Sequence, residues 1–469
     1  MVQTSPTPEL ARFVASTADD LPEHVIQRAR VLLLDGIACG LVGAKLPWAR
    51  RAVEGIGLVD NGSGATLWGW GRSVSPAAAA LLNGTFVQGF ELDDFHAHGA
   101  LHSSSVVVTA GLAAAEVRGD VSLTQLLRAL ALGYEVGPRV GMAMGGGRLS
   151  TIGWHTGAVF GTVAAAVSAG TVFGLDAAQM ESAIGNAATR ASGLMAAQYK
   201  SMVKRMHHGM AAQSGLYGAA LASAGFVGTE RVLEHEYGGL AATILGEVES
   251  ADFDKLTSGL GSEWVIETIG IKRHACLIML HSTIDALIEL RAEGLTADNI
   301  DHITIHVSES VARRTSWKME HPGKSLSAQM NLRFGAAVAL IDGSAYVDQF
   351  SASSLARSEV WDLMDRIDVV HDEAIDSLGR DRRFVTRLDI SLRSGKTMQV
   401  ESIPPQDREF STDEVITKYR GLVAHLIPEK RSRAIEDLVL YGGGDRTAAE
   451  LADLLRQEAA PALPDLDED

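Results

Sequence analysis

Between Phe90 and Ser104 the sequence reads FELDDFHAHGALHSS, which sets two adjacent carboxylates, Asp93 and Asp94, close to three histidines, His96, His98 and His102. The surrounding sequence is rich in Ala, Gly, Val and Leu. Titratable groups cost free energy when taken out of water, so a dense group of them in apolar sequence needs a reason. Acid–base chemistry or substrate contact is one. A metal site using His96-x-His98 with an Asp and His102 is a second, and a polar loop that only caps helices is a third. Zinc motifs of good specificity place two ligands one helical turn apart and a third well separated. This spacing matches none of them, and no metal is expected.

His155 stands alone in GWHTG, within a stretch from Ile152 to Leu175 that contains no Asp, Glu, Lys or Arg. A lone buried histidine is more often a hydrogen-bonded core residue; convergence with other titratable groups would tune it for proton transfer near neutral pH. The run Lys204-Arg205-Met206-His207-His208-Gly209 precedes the small-residue stretch AAQSGLYGAALA. Cationic groups at a helix N-terminus, whose free N–H groups and dipole favour anions, suit anion binding; a solvated basic edge is the plainer reading. If that helix already includes Lys204, His208 lies one turn further on. A second basic group, Lys272-Arg273-His274, is followed by His281, which shares a helical face with Ile284 and Ile288 and is expected to point inward.

No GxGxxG, Walker A, GxSxG or nucleophilic cysteine arrangement occurs. An enzyme built on this chain would therefore work without an evident nucleotide, flavin or covalent nucleophile. The formal net charge of −17 argues against nucleic acid or an anionic membrane surface as partner, while leaving room for a locally basic pocket and a small anionic substrate. Two cysteines, Cys39 and Cys276, make no disulfide framework and fit a reducing compartment. The N-terminus lacks the basic region and apolar run of a signal peptide, so a cytoplasmic location is expected. The uncharged stretch around Ile152–Leu175 is Ala, Gly, Ser and Thr rather than Leu, Ile and Phe, which suits close packing inside protein better than lipid.

These residues must be positioned by elements, and 469 residues with 46% hydrophobic content suggest two globular domains. To about Glu267 the pattern is helix after helix, with apolar residues at three- and four-residue spacing and no strand-like alternation; Asp176 is a plausible N-cap. From Ile269 the texture changes. HITIHVSESV (302–311) alternates as a strand, and FVTRLDISLRSGKTMQVESI (384–403) reads as two strands around Arg393–Lys396, with helical patterns at 281–293 and 332–343. The expected fold is mainly α: a helical bundle domain over 1–267, completed by 407–469, and a smaller α+β domain over 268–406. The final PALPDLDED is expected to be a frayed acidic tail.

In this order, the residues resemble the MmgE/PrpD family across essentially the whole chain. The marks are LLLDGIACGLVG, ELDDFH…LHSS, GWHTGAVFGTVAAA, LMAAQYKSMVKRMHHGMAAQSGLYGAALASAGFVG, IKRHACLIMLHSTIDA and SAQMNLRFGAAVALIDG. The fourth is the most specific, because its combination of basic residues, small residues and Gly-Phe-x-Gly has no general physical cause. The resemblance implies a large helical domain with a smaller lid, a homodimer, and a small polycarboxylate substrate handled without nucleotide or metal. Activities in the family include 2-methylcitrate dehydratase, cis-aconitate decarboxylase and iminodisuccinate epimerase.

By the resemblance, Asp93 matches the carboxylate of a DD motif, His102 the histidine ending that segment, His155 the histidine of a GFH-type motif and Lys204 the lysine before the small-residue helix. Lys272 and His281 match basic residues of the lid. The chain departs from the family pattern with His102-Ser103 for His-Pro, with no Pro after His155, and with Asn331-Leu332-Arg333 for Ser-Leu-Pro. Arg333 adds a cation that could take a further carboxylate. Catalysis is thus expected of Asp93, His102, His155 and Lys204, with Lys204, His155 and Asp93 converging in a cleft between helical domain and lid. Substrate binding is expected of His96, Arg205, His208, Lys272, His281 and Arg333. The implied chemistry is cofactor-free elimination of water or CO₂ from a di- or tricarboxylate through an enolate-like species. Its alternatives are an epimerase that exchanges an α-proton at the same site, and a carboxylate-binding protein without turnover.

Overall fold

The computed structural model describes residues 5–198, 201–408 and 410–466, with Arg380 described by its backbone alone. The chain divides into two compact units. One comprises Met1–Gly89, Asp93–Ile271 and Ser411–Ala462; the other comprises Phe90–Leu92, Lys272–Phe410 and Leu463–Asp469.

The first unit is a helical bundle. Its central helix, Thr156–Phe173, packs against Val203–Ser223, Leu123–Ala143, Ser104–Arg118 and Ala177–Ala188. Taken singly, Thr156–Phe173 is the one described helix with the length and apolarity of a membrane span, and nearly every residue of it is buried among its neighbours. Small side chains let these helices approach closely. A Cβ on Gly209 would stand 2.0 Å from the Leu81 carbonyl oxygen of the helix Pro76–Val87, so glycine is required there. Asp176 caps Ala177–Ala188 as its sequence suggests, accepting the Gln179 N–H at 2.9 Å in a capping box. One short hairpin, β1 (Ala65–Leu67) with β2 (Arg72–Val74), interrupts the helices. It escapes the sequence because three-residue strands are too short to show alternation.

The second unit holds a four-stranded sheet of β3 (Ile300–Val307), β4 (Ile367–His371), β5 (Arg387–Leu392) and β6 (Thr397–Glu401), in the order β4-β3-β5-β6. β3 pairs parallel with β4 and antiparallel with β5. The helices His281–Ala292 and Leu332–Asp342 pack together beside it. β4 is the strand not anticipated; Ile367-Asp368-Val369-Val370-His371 lacks a full apolar–polar alternation.

Two short segments join this unit against expectation. Phe90 packs edge-on against Phe350 with ring centroids 6.4 Å apart, and Glu91 pairs with Lys272. At the other end Leu463 and Leu466 are buried and Asp465 accepts the Ser353 N–H at 3.3 Å. The described part of the expected frayed tail is therefore packed; residues 467–469 lie outside the described residues.

Candidate active site

In the first unit, Asp93 and Asp94 are fully buried just ahead of the helix Ser104–Arg118. The Asp94 carboxylate accepts the N–H groups of Ser103 at 2.9 Å and Ser104 at 2.8 Å, satisfying free donors at the helix start. Burial, followed by the charge of Asp93, pushes Asp94 up to about 6. His102 Nδ1 lies 2.7 Å from the main-chain oxygen of Asp94 and 3.5 Å from Oδ1 of Asp93. A carbonyl oxygen only accepts, so Nδ1 carries the hydrogen and Nε2 is the basic nitrogen. When Nε2 takes a proton, the resulting imidazolium faces the Asp93 carboxylate, the relationship that lets a histidine hold and return a proton.

His155 is the N-cap residue of Thr156–Phe173, and its backbone N–H donates to the Gly193 oxygen at 2.9 Å. Lys204 sits in the first turn of Val203–Ser223, with His207 and His208 on the next turn, so that helix does begin ahead of the lysine. The imidazoles gather into one group. The His155 ring lies 4.9 Å from His207 and stacks on His208 at 5.1 Å, while His102 and His208 are 5.5 Å apart. His208 Nδ1 is 2.8 Å from Ser105 Oγ, whose own hydrogen goes to the His102 carbonyl oxygen at 3.0 Å. Ser105 therefore accepts from Nδ1–H, leaving the lone pair of His208 on Nε2, which is buried without a hydrogen-bond partner among the described residues. Burial first, then the neighbouring His155, His102, His207 and Lys204, hold His208 well below the usual imidazole range. Burial and Lys204 lower His207 to about 4.

Lys204, His155 and the Asp93–His102 pair, far apart in sequence, thus meet in one group within the first unit. Three helix starts meet with them. The Asp94 carboxylate occupies one, and the other two add their partial positive charge to that of Lys204. Among the described residues, no group of three or more His, Cys, Asp or Glu side chains is placed to hold a metal ion.

Other expected binding residues do different work. Both nitrogens of buried His96 are committed: Nδ1 accepts the Gly99 N–H at 2.8 Å, and Nε2 lies 3.0 Å from Thr268 Oγ1, whose hydrogen goes to the Val265 oxygen. Burial lowers His96 to about 3, and the ring clamps its loop rather than a substrate. Arg205, also buried, lies over the Trp48 ring at 3.8 Å and donates to the Gly89 oxygen, which makes it a strut. His208 has no exposed surface, so it acts through its neighbours rather than on a ligand.

The second unit holds the remaining three. Lys272 Nζ lies 3.1 Å from Glu91 Oε2, both buried. His281 opens the helix His281–Ala292 and points inward as expected, its ring 4.9 Å from that of His274. His274 Nε2 is 2.9 Å from Asp285, whose other oxygen lies 3.5 Å from Arg408 Nε. Arg333 was expected to add a cation for substrate. Its Nε donates to the Ile367 oxygen at 2.7 Å, Nη1 to the Ser316 oxygen at 3.2 Å, and Nη2 lies 3.7 Å from Asp368. It pins the start of β4 instead.

Sequence reasoning missed Ser105, which sets the His208 tautomer, and Gly157, where a Cβ would stand 1.8 Å from His208 Nε2. It also left His207 without a role. The only signals available were adjacency: Ser105 ends a serine run after His102, and Gly157 follows His155 by two.

The model of the MmgE/PrpD N-terminal domain matches residues 8–251, and that of the MmgE/PrpD C-terminal domain matches residues 274–441. The chain is 38% identical over 468 residues to a "Cis-aconitate decarboxylase-like protein oryM" of Aspergillus oryzae, covering 96% of each chain. It is 36% identical over 457 residues to "Cis-aconitate decarboxylase" of Aspergillus terreus, covering 92% of each. A human "Cis-aconitate decarboxylase" is 24% identical over 387 residues, covering 80% of this chain and 78% of the relative.

Proposed function

This chain belongs to the MmgE/PrpD family, and from that premise we propose that it is a lyase that removes CO₂ from cis-aconitate or a close tricarboxylate relative, without a cofactor. The observation that carries the reading is the meeting of Lys204 with the rings of His102, His155, His207 and His208 at three helix starts. Such a place suits a small polyanion. The decarboxylase names of the relatives at 36–38% identity support the choice of reaction.

In cis-aconitate a CH₂–COO⁻ arm is joined to the central carbon of a C=C bond whose far carbon also bears a carboxylate. The bond from CH₂ to its carboxylate breaks and CO₂ leaves. The freed electron pair makes a new C=C bond to the central carbon, while the old π pair moves to the far carbon. That carbon's own carboxylate delocalises the charge as an enolate-like anion until one proton arrives. No electron sink outside the substrate is needed.

Three jobs remain for the protein. Lys204 provides fixed positive charge where the anion develops. His102, with a side chain 26% exposed beside fully buried Asp93, is the accessible proton carrier: its imidazolium gives the proton from Nε2 and regains one from solvent. His155, at the start of its helix, helps to hold a carboxylate. The test is a screen of the pure protein against cis-aconitate, citrate, 2-methylcitrate and iminodisuccinate by proton NMR. The expected result is loss of cis-aconitate with appearance of a CH₂=C product. Release of water from 2-methylcitrate, or α-proton exchange in iminodisuccinate, with cis-aconitate untouched would replace this reading with dehydration or epimerisation.

A further inference from the structure

His207 has no part in the proton transfer just described, yet its environment is unusual. It is buried, and neither ring nitrogen has a hydrogen-bond partner among the described residues; Nδ1 is wholly shielded from solvent. Its ring leans on His155 at 4.9 Å, and Gly193, whose Cβ would stand 3.6 Å from Nδ1, leaves bare backbone beside it. A buried polar atom left unpaired costs free energy, a cost recovered when a ligand supplies the partner.

The charges around it explain why it is left so. From its own helix it faces Lys204 and His208. The helix Thr156–Phe173 brings His155, and the segment before Ser104–Arg118 brings His102 with Asp93 and Asp94. The helix Ala177–Ala188 contributes Glu181, which is engaged with the Arg231 N–H at 2.9 Å, and Pro76–Val87 contributes no titratable group. The Asp94 carboxylate is taken up by the Ser103 and Ser104 N–H groups, and Asp93 lies 3.5 Å from His102 Nδ1. Among the described residues His207 therefore has no anionic partner of its own, and Lys204 is the charge that acts on it. Burial and Lys204 keep it neutral, at about 4. A polycarboxylate arriving at this group brings the missing anion, and an opposite charge within a few ångströms favours the protonated ring.

Resting on the polycarboxylate reading above, we propose that ligand binding is coupled to uptake of a proton, and that His207 holds it. His207 then donates to a ligand carboxylate from a charged ring, and the substrate class is narrowed to polyanions with enough charge to bring a proton with them. Because the bound state holds more protons than the free state, affinity falls as pH rises, by up to tenfold per pH unit for one proton.

The test is calorimetric titration of the full chain at pH 6.5 with propane-1,2,3-tricarboxylate, which has no double bond to rearrange, in two buffers of different ionisation enthalpy. The expected result is uptake of about half to one proton per ligand. In His207→Gln uptake should fall to near zero and the dissociation constant should become nearly independent of pH. In His207→Lys, with a permanent charge, it should be nearly independent of pH while affinity is kept. Saturable binding with no proton uptake in the wild type overturns the coupling, and undiminished uptake in a folded His207→Gln protein overturns the assignment to this residue. Absence of saturable binding would instead remove the polycarboxylate reading, and this inference with it.

Discussion

Gly157 makes the room that the His208 ring fills: a Cβ at position 157 would stand 1.8 Å from Nε2 and 2.6 Å from both Cδ2 and Cε1. Since His208 stacks on His155 and touches Ser105, the missing side chain sets the spacing of the whole imidazole group. Gly157→Ala should cost about 1–3 kcal/mol of stability, the usual penalty of overpacking. It should also lower kcat by about a hundredfold, the scale of an ångström's misplacement. Thermal melts and steady-state kinetics on the purified variant check both; unchanged kinetics would mean that the ring spacing does not matter.

Asp93→Asn is expected to be milder than removal of a carboxylate usually is beside a catalytic histidine. Where that loss flips the tautomer, about 10⁴-fold in kcat disappears. Here the Asp94 main-chain oxygen at 2.7 Å holds Nδ1–H and survives the substitution. The loss should be about 10- to 100-fold, the range of general acid–base assistance, and steady-state rates will show it. A loss beyond that scale would indicate that Asp93, not the carbonyl, sets the tautomer.

Lys204→Ala and Arg333→Ala should separate chemistry from architecture. Removing Lys204 should lower kcat by about a hundredfold or more, as loss of one preorganised donor does. Arg333 holds the oxygens of Ile367 and Ser316, so its removal should cost about 1–3 kcal/mol, measured by urea unfolding, with KM little changed. A selective rise in KM would return Arg333 to the substrate.

Acid should destabilise the first unit through its neutral histidines. His96, lowered by burial to about 3, stays unprotonated in the folded chain, while the unfolded chain binds the proton below the ordinary imidazole value of about 6.5. Its contribution is full above that value and is lost as pH falls, by roughly 1.4 kcal/mol per pH unit. Asp94, raised to about 6, works the other way: its contribution is present at low pH and is lost as pH rises through 6. The stability difference between wild type and His96→Gln, read from urea unfolding between about pH 6.5 and 4.5, should therefore shift against the wild type with acid by about one proton's worth per pH unit, whatever the carboxylates contribute to both.

The helical unit and most of the sheet were legible because their patterns are local: three- and four-residue spacing, a capping Asp176, the alternation of β3. Asp93, His102, His155 and Lys204 stood out as polar residues in apolar sequence, and the fold brings them into one group. His96, Arg205 and Arg333 stood out for the same reason and proved to be clamps and struts. Residue type cannot separate the two, since a buried guanidinium satisfied by carbonyls and one awaiting a ligand look alike in sequence. Nor could Ser105, Gly157 and His207, unpartnered among the described residues, be singled out, because their meaning lies in contacts about 50 to 100 residues away along the chain. The attachment of Phe90–Leu92 to the second unit was hidden because it depends on the pairing of Glu91 with Lys272.

The central claim is that this site expels CO₂ and delivers one proton to the carbon left anionic. Its most direct test is complete turnover of cis-aconitate in deuterated water, with proton NMR of the product and quantitation of released CO₂. The account predicts one deuterium per CO₂, on the saturated carbon beside the carboxylate and not on the new CH₂=C group, with the rate collapsing in folded His102→Gln. Deuterium entering substrate without CO₂ release, or an undiminished rate in His102→Gln, would contradict it.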